Sequence, residues 1–337
     1  MPRARQGSGG LYAGLPEMQG ARSRPGRAAV MSGSMIVRPR PSAFGLLFTL
    51  RGSVVPIIAP RVLVILVLSA AVAWLDHAHP GRLPALTPAP FTLLGLALSI
   101  FLGFRNNACY DRWWEARKQW GQLVVETRCL ARDAATLLAH DPALCRRIVR
   151  RAVGFACALR AQLRDLDGRD VLAWLPPGER GGLASRRNPG EAILRATAAD
   201  LAAALRAGAI TDVLYRQFDD RLTALTAVQT ACERLRSTPT PFTYTLLLHR
   251  TAWLFCLLLP FGLVGTLGLA APVPATIMAY AFFGLDALGD ELEEPFGLAQ
   301  NNLPLDAMVR TVEIDLLEAL GEADLPEPVR AVRYVLQ

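Results

Sequence analysis

The chain has 337 residues, of which 52% are hydrophobic and only 19% are charged, and its mean hydropathy is +0.28. The apolar residues are concentrated in long blocks, which is typical of membrane-spanning helices and argues against an ordinary soluble protein. The formal net charge of +7 is carried mainly by arginine and suits anionic lipid headgroups. No nucleic-acid-binding motif and no basic face interleaved with aromatic residues is present, so nucleic acid is excluded as a partner.

The N-terminal residues differ in composition from the rest of the chain. Residues 1–40 are rich in glycine, arginine, proline and serine and contain no apolar run of secretory length. We therefore predict a disordered N-terminal extension and not a signal peptide. The six cysteines of the chain include no Cys-x-x-Cys pair, so we expect reduced thiols that serve packing.

Two apolar blocks define a first membrane half, residues 41–104. The first block is interrupted by Pro60 and Arg61, and its uninterrupted part predicts a span over residues 62–75. The second block predicts a span over residues 91–104 and then passes into a charged, helix-compatible stretch without a Gly or Pro break. One long helix that leaves the membrane fits this pattern better than two helices.

The remainder of the chain predicts a soluble region between two membrane halves. Residues 105–236 show apolar positions at helical spacing, which indicates a large cytosolic helical region. A second membrane half covers residues 237–288, with spans at about 245–269 and 273–286, and a C-terminal cytosolic segment covers residues 289–337. Strand-like alternation is missing, so the predicted class is all-α with four transmembrane helices.

The charges that flank the apolar blocks predict the orientation of the chain. Basic residues border one face of the four spans, whereas the opposite face has only Asp76, Arg82 and an uncharged turn. The arginine-rich face should be cytosolic by the positive-inside rule. We expect a multi-pass protein of a bacterial inner membrane, in contact with membrane lipids and with both termini in the cytoplasm.

A regular apolar stripe in the second block is the clearest candidate for function. Leu96, Ile100 and Phe104 follow one another at i, i+4 and i+8 and therefore share one face of a helix. Several copies of this helix around an axis would stack the three side chains into apolar rings, which form a pore neck that gates conduction by dewetting. Ordinary helix packing is the competing explanation.

Polar residues follow the stripe directly. Arg105, Asn106 and Asn107 lie just below it, where they would line a vestibule or form hydrogen bonds at an interface between subunits. For the neighbouring Arg112 and Trp113, anchoring at the membrane interface explains the composition equally well.

An acidic run near the end of the fourth block gives a weak candidate for a cation site. Asp286, Asp290 and Glu294 are spaced by four residues and would offer carboxylate oxygens from one helix face to a hard cation such as Ca²⁺. A solvated face paired with arginine is the simpler account. EF-hand spacing is missing, so no metal site is assigned.

The sequence contains no catalytic signature. Nucleophile elbows, Walker loops, HExxH motifs and dinucleotide-binding glycine motifs are all missing, and no chain of acidic residues or histidines marks an intramembrane proton relay. We therefore predict a protein that is not an enzyme and that needs no cofactor.

Several ordered motifs together resemble the bestrophin family in its bacterial branch. The resemblance covers roughly residues 35–325. The motifs that carry it are Ile36–Pro41, Leu50–Val54, Ser99–Phe104, Tyr110–Glu115, Thr238–Tyr244 and Asp290–Gly297.

This resemblance implies a homopentameric channel with four membrane helices per subunit, a cytosolic helical region and one axial pore. It also implies that Leu96, Ile100 and Phe104 form the neck. A second, cytosolic aperture of the family falls at Leu222 when its position is counted back from Tyr244. Animal members are opened by Ca²⁺ at an acidic cluster after the Pro-Phe-Gly motif, but here that motif is followed by residues 298–303 without such a cluster, so no Ca²⁺ activation is expected.

The predicted function is therefore passive conduction of small inorganic ions through a self-assembled ring. The sign of selectivity stays open: rings of Arg105 would favour anions such as chloride, whereas carboxylate rings would favour sodium or potassium. A membrane-anchored scaffold and a secondary transporter are the alternatives. A transporter would be expected to show inverted repeats or a buried coupling acid, and neither is evident.

Overall fold

The computed structural model describes residues 49–50, 52–82, 86–183, 186–331 and 336. Throughout these residues the regular structure is helical and no strand occurs. The extension predicted at residues 1–40 lies outside the described residues.

The described residues form α-helices joined by short connections and by two 3₁₀ turns, at Arg169–Trp174 and Gly268–Ala270. In chain order the α-helices are α1 (Val55–Ala78), α2 (Ala89–Leu137), α3 (Pro142–Arg164), α4 (Pro177–Leu183), α5 (Pro189–Arg206), α6 (Asp212–Ser237), α7 (Phe242–Leu267), α8 (Pro272–Glu293) and α9 (Leu305–Ala319).

The first span is longer than the sequence predicts. Helix α1 begins at Val55, not at residue 62, because Pro56 occupies the first turn, where a missing N–H costs no hydrogen bond. The helix also continues through Pro60. Its 24 residues correspond to about 36 Å, enough to cross a hydrocarbon core of about 30 Å.

The long helix expected after the second apolar block is present as α2. It has 49 residues, which correspond to about 74 Å, and runs without interruption from the apolar block through the charged stretch. One face of this helix therefore extends continuously from the apolar layer into the soluble region.

The residues predicted as the second membrane half form α7 and α8. Helix α7 begins three residues before the predicted span 245–269 and ends two residues before its predicted end. Helix α8 begins one residue before the predicted span 273–286 and continues seven residues beyond it. Both α1 and α2 pack against α7 and α8, and this contact buries a cluster of side chains that includes Ile65, Leu98 and Phe283. In the described part of the chain, α1, α2 and α7 are long and apolar enough to cross a membrane.

The residues predicted as the soluble region have their own core, which is built by the second half of α2 together with α3, α5, α6 and α9. Helix α3 is buried on most sides, which explains its nearly continuous apolar and small residues from Ala152 to Leu159. The large side chains of Trp120, Phe155 and Phe218 are fully buried in this core. The soluble helices therefore hold the distal half of α2 in a fixed position.

Five of the six cysteines are buried, and Cys129 on α2 is partly exposed. Burial raises the pKa of the Cys157 thiol to about 12, and burial raises the pKa of Cys232 to about 12 as well. The thiolate is the reactive form, so these thiols should be inert at neutral pH.

We predict that a thiol reagent such as DTNB labels the folded protein at Cys129 before any other cysteine. Replacement of Cys129 by serine should remove the fast phase of labelling at pH 7.5, whereas Cys157→Ser should leave it unchanged. Equal labelling rates at the two positions would contradict the burial described above.

Candidate functional site: the exposed stripe of helix α2

Helix α2 has two faces with different surroundings. One face, with Gly95, Leu98, Leu102, Arg105 and Cys109, is buried. Helices α7 and α8 pack against this part of the chain. The opposite face is exposed, and it contains the three predicted neck residues.

The predicted neck residues share one exposed surface. The exposed fractions are 61% for Leu96, 48% for Ile100 and 61% for Phe104. Large apolar side chains that project from a single subunit at helical spacing need a further surface, either lipid or another copy of the chain, to remove them from water. The orientation needed for an apolar neck is therefore available.

The exposed face continues along α2 at i+3 and i+4 spacing, well past the apolar block. Every member of this series is exposed. We call the series the α2 stripe, and it consists of Leu96, Ile100, Phe104, Asn107, Asp111, Trp114, Lys118, Gln122 and Val125.

Arg105, which directly follows the last neck residue, does not lie on this stripe. Its side chain is 0% exposed, and Nη1 donates to Oδ1 and to the backbone carbonyl of Asp286, both at 3.1 Å. Nη2 donates to Asp290 Oδ1, and Glu293 Oε2 lies 3.6 Å away. This differs from the predicted vestibule position, because Arg105 is in phase with Leu98 and Leu102 on the buried face.

Asp286 is the centre of a larger group of charges. Its side chain is 1% exposed, and Oδ2 lies 2.7 Å from Nδ1 of His249 on α7 and 3.6 Å from Nη1 of Arg61 on α1. A carboxylate only accepts hydrogen bonds, so Nδ1 of His249 is the donor. Helices α1, α2, α7 and α8 all contribute to this group, which we call the Arg105 network: Arg61, Arg105, His249, Asp286, Asp290 and Glu293.

The Arg105 network is costly to disrupt. A buried charge requires a partner, and removal of one member of a buried ion pair typically costs about 3–5 kcal/mol. Rotation of α2 about its axis would move Arg105 away from Asp286 and incur a cost of this kind. The ion pair therefore fixes the rotation of α2 and, with it, the direction of the neck side chains.

A glycine on α8 makes room for this contact. A Cβ atom at Gly289 would lie 2.9 Å from Nη1 of Arg105 and 2.8 Å from Oδ1 of Asn106. Because both distances are too short for a normal contact, a side chain at this position would displace the ends of the Arg105 and Asn106 side chains from α8.

The other two residues predicted beside the vestibule take different positions. Asn106 is half-buried and lies next to Gly289, whereas Asn107 is exposed and belongs to the α2 stripe. Of the three predicted residues, Asn107 alone lies on the surface that carries the neck residues.

The carboxylates predicted as a weak cation site have other surroundings in the structure. Asp286 and Asp290 direct carboxylate oxygens to the guanidinium of Arg105, and Glu294 is exposed after the end of α8. Within the described residues no three His, Cys, Asp or Glu side chains form a group that could hold a metal ion. The cation at these carboxylates is the guanidinium of Arg105.

Leu222, predicted to form the cytosolic aperture, is buried in the structure. Leu222 on α6 is 6% exposed and belongs to the soluble core together with Phe218 and Leu225. The spacing of these three residues already indicated a buried face, a signal that outweighs a distance counted along the chain. On α6 the large hydrophobic residue with an exposed side chain is Val213, at 70%.

Val213 lies at the end of the soluble region farthest from the neck. Helix α6 runs antiparallel to α2: Arg234 near its end lies 3.9 Å from Glu115, and Arg221 pairs with Asp133 at 3.1 Å. The first turn of α6, with Val213, is therefore close to the distal end of α2.

The basic and aromatic residues after the stripe's apolar part anchor α2 within the subunit. Arg112 donates from Nε to the carbonyl of Glu293 at 2.8 Å and from its terminal nitrogens to the carbonyls of Leu235 and Thr238. Trp113 donates from Nε1 to the carbonyl of Asn301 at 3.1 Å. Arg112 therefore ties α2 to the ends of α6 and α8, and Trp113 ties it to the connection between α8 and α9. Neither residue is a member of the α2 stripe.

Comparison with known proteins decides the family. A model described as Bacterial/Fungal Bestrophin protein matches residues 35–318. The chain belongs to the bestrophin family. This confirms the resemblance inferred from the sequence motifs.

Relatives of this bestrophin align over most of their length. The Voltage-dependent anion channel-forming protein mll4386 of Mesorhizobium japonicum is 48% identical over 291 residues, which cover 86% of this chain and 94% of the relative. The Voltage-dependent anion channel-forming protein YneE of Escherichia coli K12 is 42% identical over 303 residues, with 89% and 99% covered.

The fold is shared with solved bestrophin structures. The crystal structure of a bacterial Bestrophin homolog from Klebsiella pneumoniae matches with a TM-score of 0.75 at 40% identity and covers 79% of this chain and 100% of that chain. This similarity confirms the predicted all-α, bestrophin-like fold.

The close contact at Gly289 gives a prediction for stability. Gly289→Ala should destabilise the protein by about 1–3 kcal/mol, because the added methyl group pushes Arg105 and Asn106 away from α8. Gly284→Ala is the matched control on the same helix, since its nearest neighbour would be Ile58 Cδ1 at 3.8 Å. Thermal unfolding in detergent compares the two variants, and equal melting temperatures would contradict the close packing.

The two positions on α6 give a second pair of variants. Leu222→Ala should lower the free energy of unfolding by about 2–5 kcal/mol, because it leaves a cavity in the soluble core. Val213→Ala removes an exposed side chain and should change that free energy by no more than about 0.5 kcal/mol. Chemical denaturation measures both free energies. An unchanged free energy of unfolding for Leu222→Ala would contradict the burial of this side chain in the soluble core.

Proposed function

We propose that this bestrophin is a passive channel for small monovalent ions, formed by five copies of the chain around one axial pore. The α2 stripe of each copy faces the axis. Leu96, Ile100 and Phe104 then form three successive apolar rings that act as the gate.

The exposure of the α2 stripe is the observation that carries this proposal. One helix cannot enclose a pore, so a conducting path requires several copies whose stripes face one another. The names of the relatives from Mesorhizobium japonicum and Escherichia coli as anion channel-forming proteins support conduction of ions. The number of five copies is inferred from the family resemblance.

The gate follows from the chemistry of the neck. A narrow ring of apolar side chains disfavours water, and a small outward rotation of these side chains is enough to hydrate the path. The Arg105 network holds the backbone of α2 in place next to Phe104, so the proposed movement is confined to side chains.

We place the channel in the bacterial inner membrane with four membrane helices per subunit and both termini in the cytoplasm. The distribution of arginine supports this orientation. Exposed apolar side chains on α1 and α7, such as Val67 and Leu254, provide further surface for lipid or for a neighbouring subunit.

Val213 is the residue that we propose for the second, cytosolic constriction. It is exposed, apolar and located at the distal end of α2, so a ring of copies would narrow the path far from the membrane. Leu222 cannot serve this role from within the core of its own subunit.

The neck itself does not select ions by the sign of their charge. Its three side chains are uncharged, and the nearest basic residue, Arg105, is buried behind them. Chloride as well as sodium or potassium is compatible with the neck alone, so charges elsewhere on the path decide between them.

The purified protein in planar lipid bilayers tests the proposal through single-channel recording. We predict that Ile100→Ala increases the open probability, because a smaller ring is more easily hydrated. Leu94→Ala is the control, since Leu94 is an exposed leucine on the same helix that lies off the stripe. Absence of current from the wild-type protein in repeated preparations would contradict a channel, and an unchanged Ile100→Ala variant would contradict the position of the gate.

A further inference from the structure

The first charged residue on the α2 stripe beyond the neck is Asp111. It follows Phe104 by seven residues, which places it about 10 Å farther along the helix axis on nearly the same face. Asp111 is exposed, and none of the described residues forms an ion pair with it. Between Phe104 and Asp111 the stripe has only the uncharged Asn107.

The basic residues nearest to Asp111 in the sequence are directed away from the stripe. The guanidinium of Arg105 is buried against Asp286 and Asp290. The guanidinium of Arg112 donates to backbone carbonyls at the ends of α6 and α8. Neither cation therefore compensates the charge of Asp111 at the surface of the stripe.

The next charged residue along the stripe is neutralised within the subunit. Lys118 lies one turn beyond Trp114, and its Nζ pairs with Oε2 of Glu115 at 2.8 Å. The net charge of the first part of the stripe beyond the neck is therefore negative, although the sequence around it is rich in arginine.

We infer that Asp111 is a selectivity-determining residue, whose carboxylates form a ring at the cytosolic exit of the neck and favour cations over anions. This inference rests on the proposed function, because the ring exists only if several α2 helices surround one axis. A path lined by charges of one sign raises the local concentration of counter-ions about tenfold or more. Potassium or sodium should therefore enter the neck from the cytosol more readily than chloride.

The inference contrasts with the names of the relatives, which describe anion channel-forming proteins. A basic ring at Arg105 would agree with those names, but the burial of Arg105 removes it from the path. In this chain the first exposed charge after the proposed neck is the carboxylate of Asp111.

Reversal potentials under a KCl gradient test the inference. The wild-type channel should reverse near the potassium equilibrium potential, and Asp111→Asn should lower the ratio of potassium to chloride permeability about tenfold. Glu191→Gln is the control: it removes one partly exposed carboxylate, paired with Arg195 at 3.6 Å, on α5, a helix that packs against α3 and α6. The control should leave the permeability ratio unchanged.

Two further measurements keep the result independent of folding defects. In the wild-type channel, selectivity should weaken in 1 M KCl, where the Debye length is about 3 Å, relative to 0.1 M KCl, where it is about 10 Å. An Asp111→Cys variant in a Cys129→Ser background can be modified after assembly. A cationic methanethiosulfonate reagent should shift the reversal potential of this variant toward chloride. An anionic reagent, applied to separate unmodified channels, should shift it toward potassium.

The outcomes separate the inference from the proposed function. No current from the wild-type protein overturns both. A current that reverses near the chloride potential, or a permeability ratio that is the same in wild type, Asp111→Asn and the modified Asp111→Cys channel, overturns the role of Asp111 and leaves the channel intact. A ratio of potassium to chloride permeability that falls when the carboxylate is removed and when the salt concentration is raised supports the role of Asp111.

Discussion

The buried ion pair between Arg105 and Asp286 is the interaction on which the candidate pore depends. It joins α2 to α8 at the point where α2 leaves its apolar block, and His249 and Arg61 join two further helices to the same carboxylate. An α-helix turns by about 100° per residue, so a fixed Arg105 also fixes Phe104 and the two neck residues above it. The direction of the proposed gate side chains therefore follows from a contact on the other side of the helix.

The two faces of α2 therefore have different roles. The buried face holds the helix through charge pairs, through the close approach at Gly289 and through the hydrogen bonds of Arg112. The exposed face then presents the α2 stripe without any basic side chain that is both free and adjacent to the neck. An arginine-rich sequence can therefore form a stripe whose first exposed charge after Phe104 is the carboxylate of Asp111.

The sequence predicts most of the architecture, because apolar blocks and helical periodicity are local signals. They indicate the spans, the uninterrupted helix α2 and the shared face of Leu96, Ile100 and Phe104. The positions of Arg105 and Leu222 depend instead on which face of a helix meets its neighbours. For Leu222 the helical spacing with the apolar residues Phe218 and Leu225 predicts a buried side chain, as the structure shows. For Arg105 the partners lie far along the chain, and a buried guanidinium could be expected only once α8 and Gly289 were placed beside it.

The most direct test of this account is a structure of the purified, assembled protein in lipid nanodiscs, determined by electron cryomicroscopy. The account predicts five copies in a ring, with Leu96, Ile100 and Phe104 of each copy on the central axis and Arg105 in contact with Asp286 of its own chain. A structure in which the α2 stripe faces lipid, or in which Arg105 projects into the central path, would contradict it.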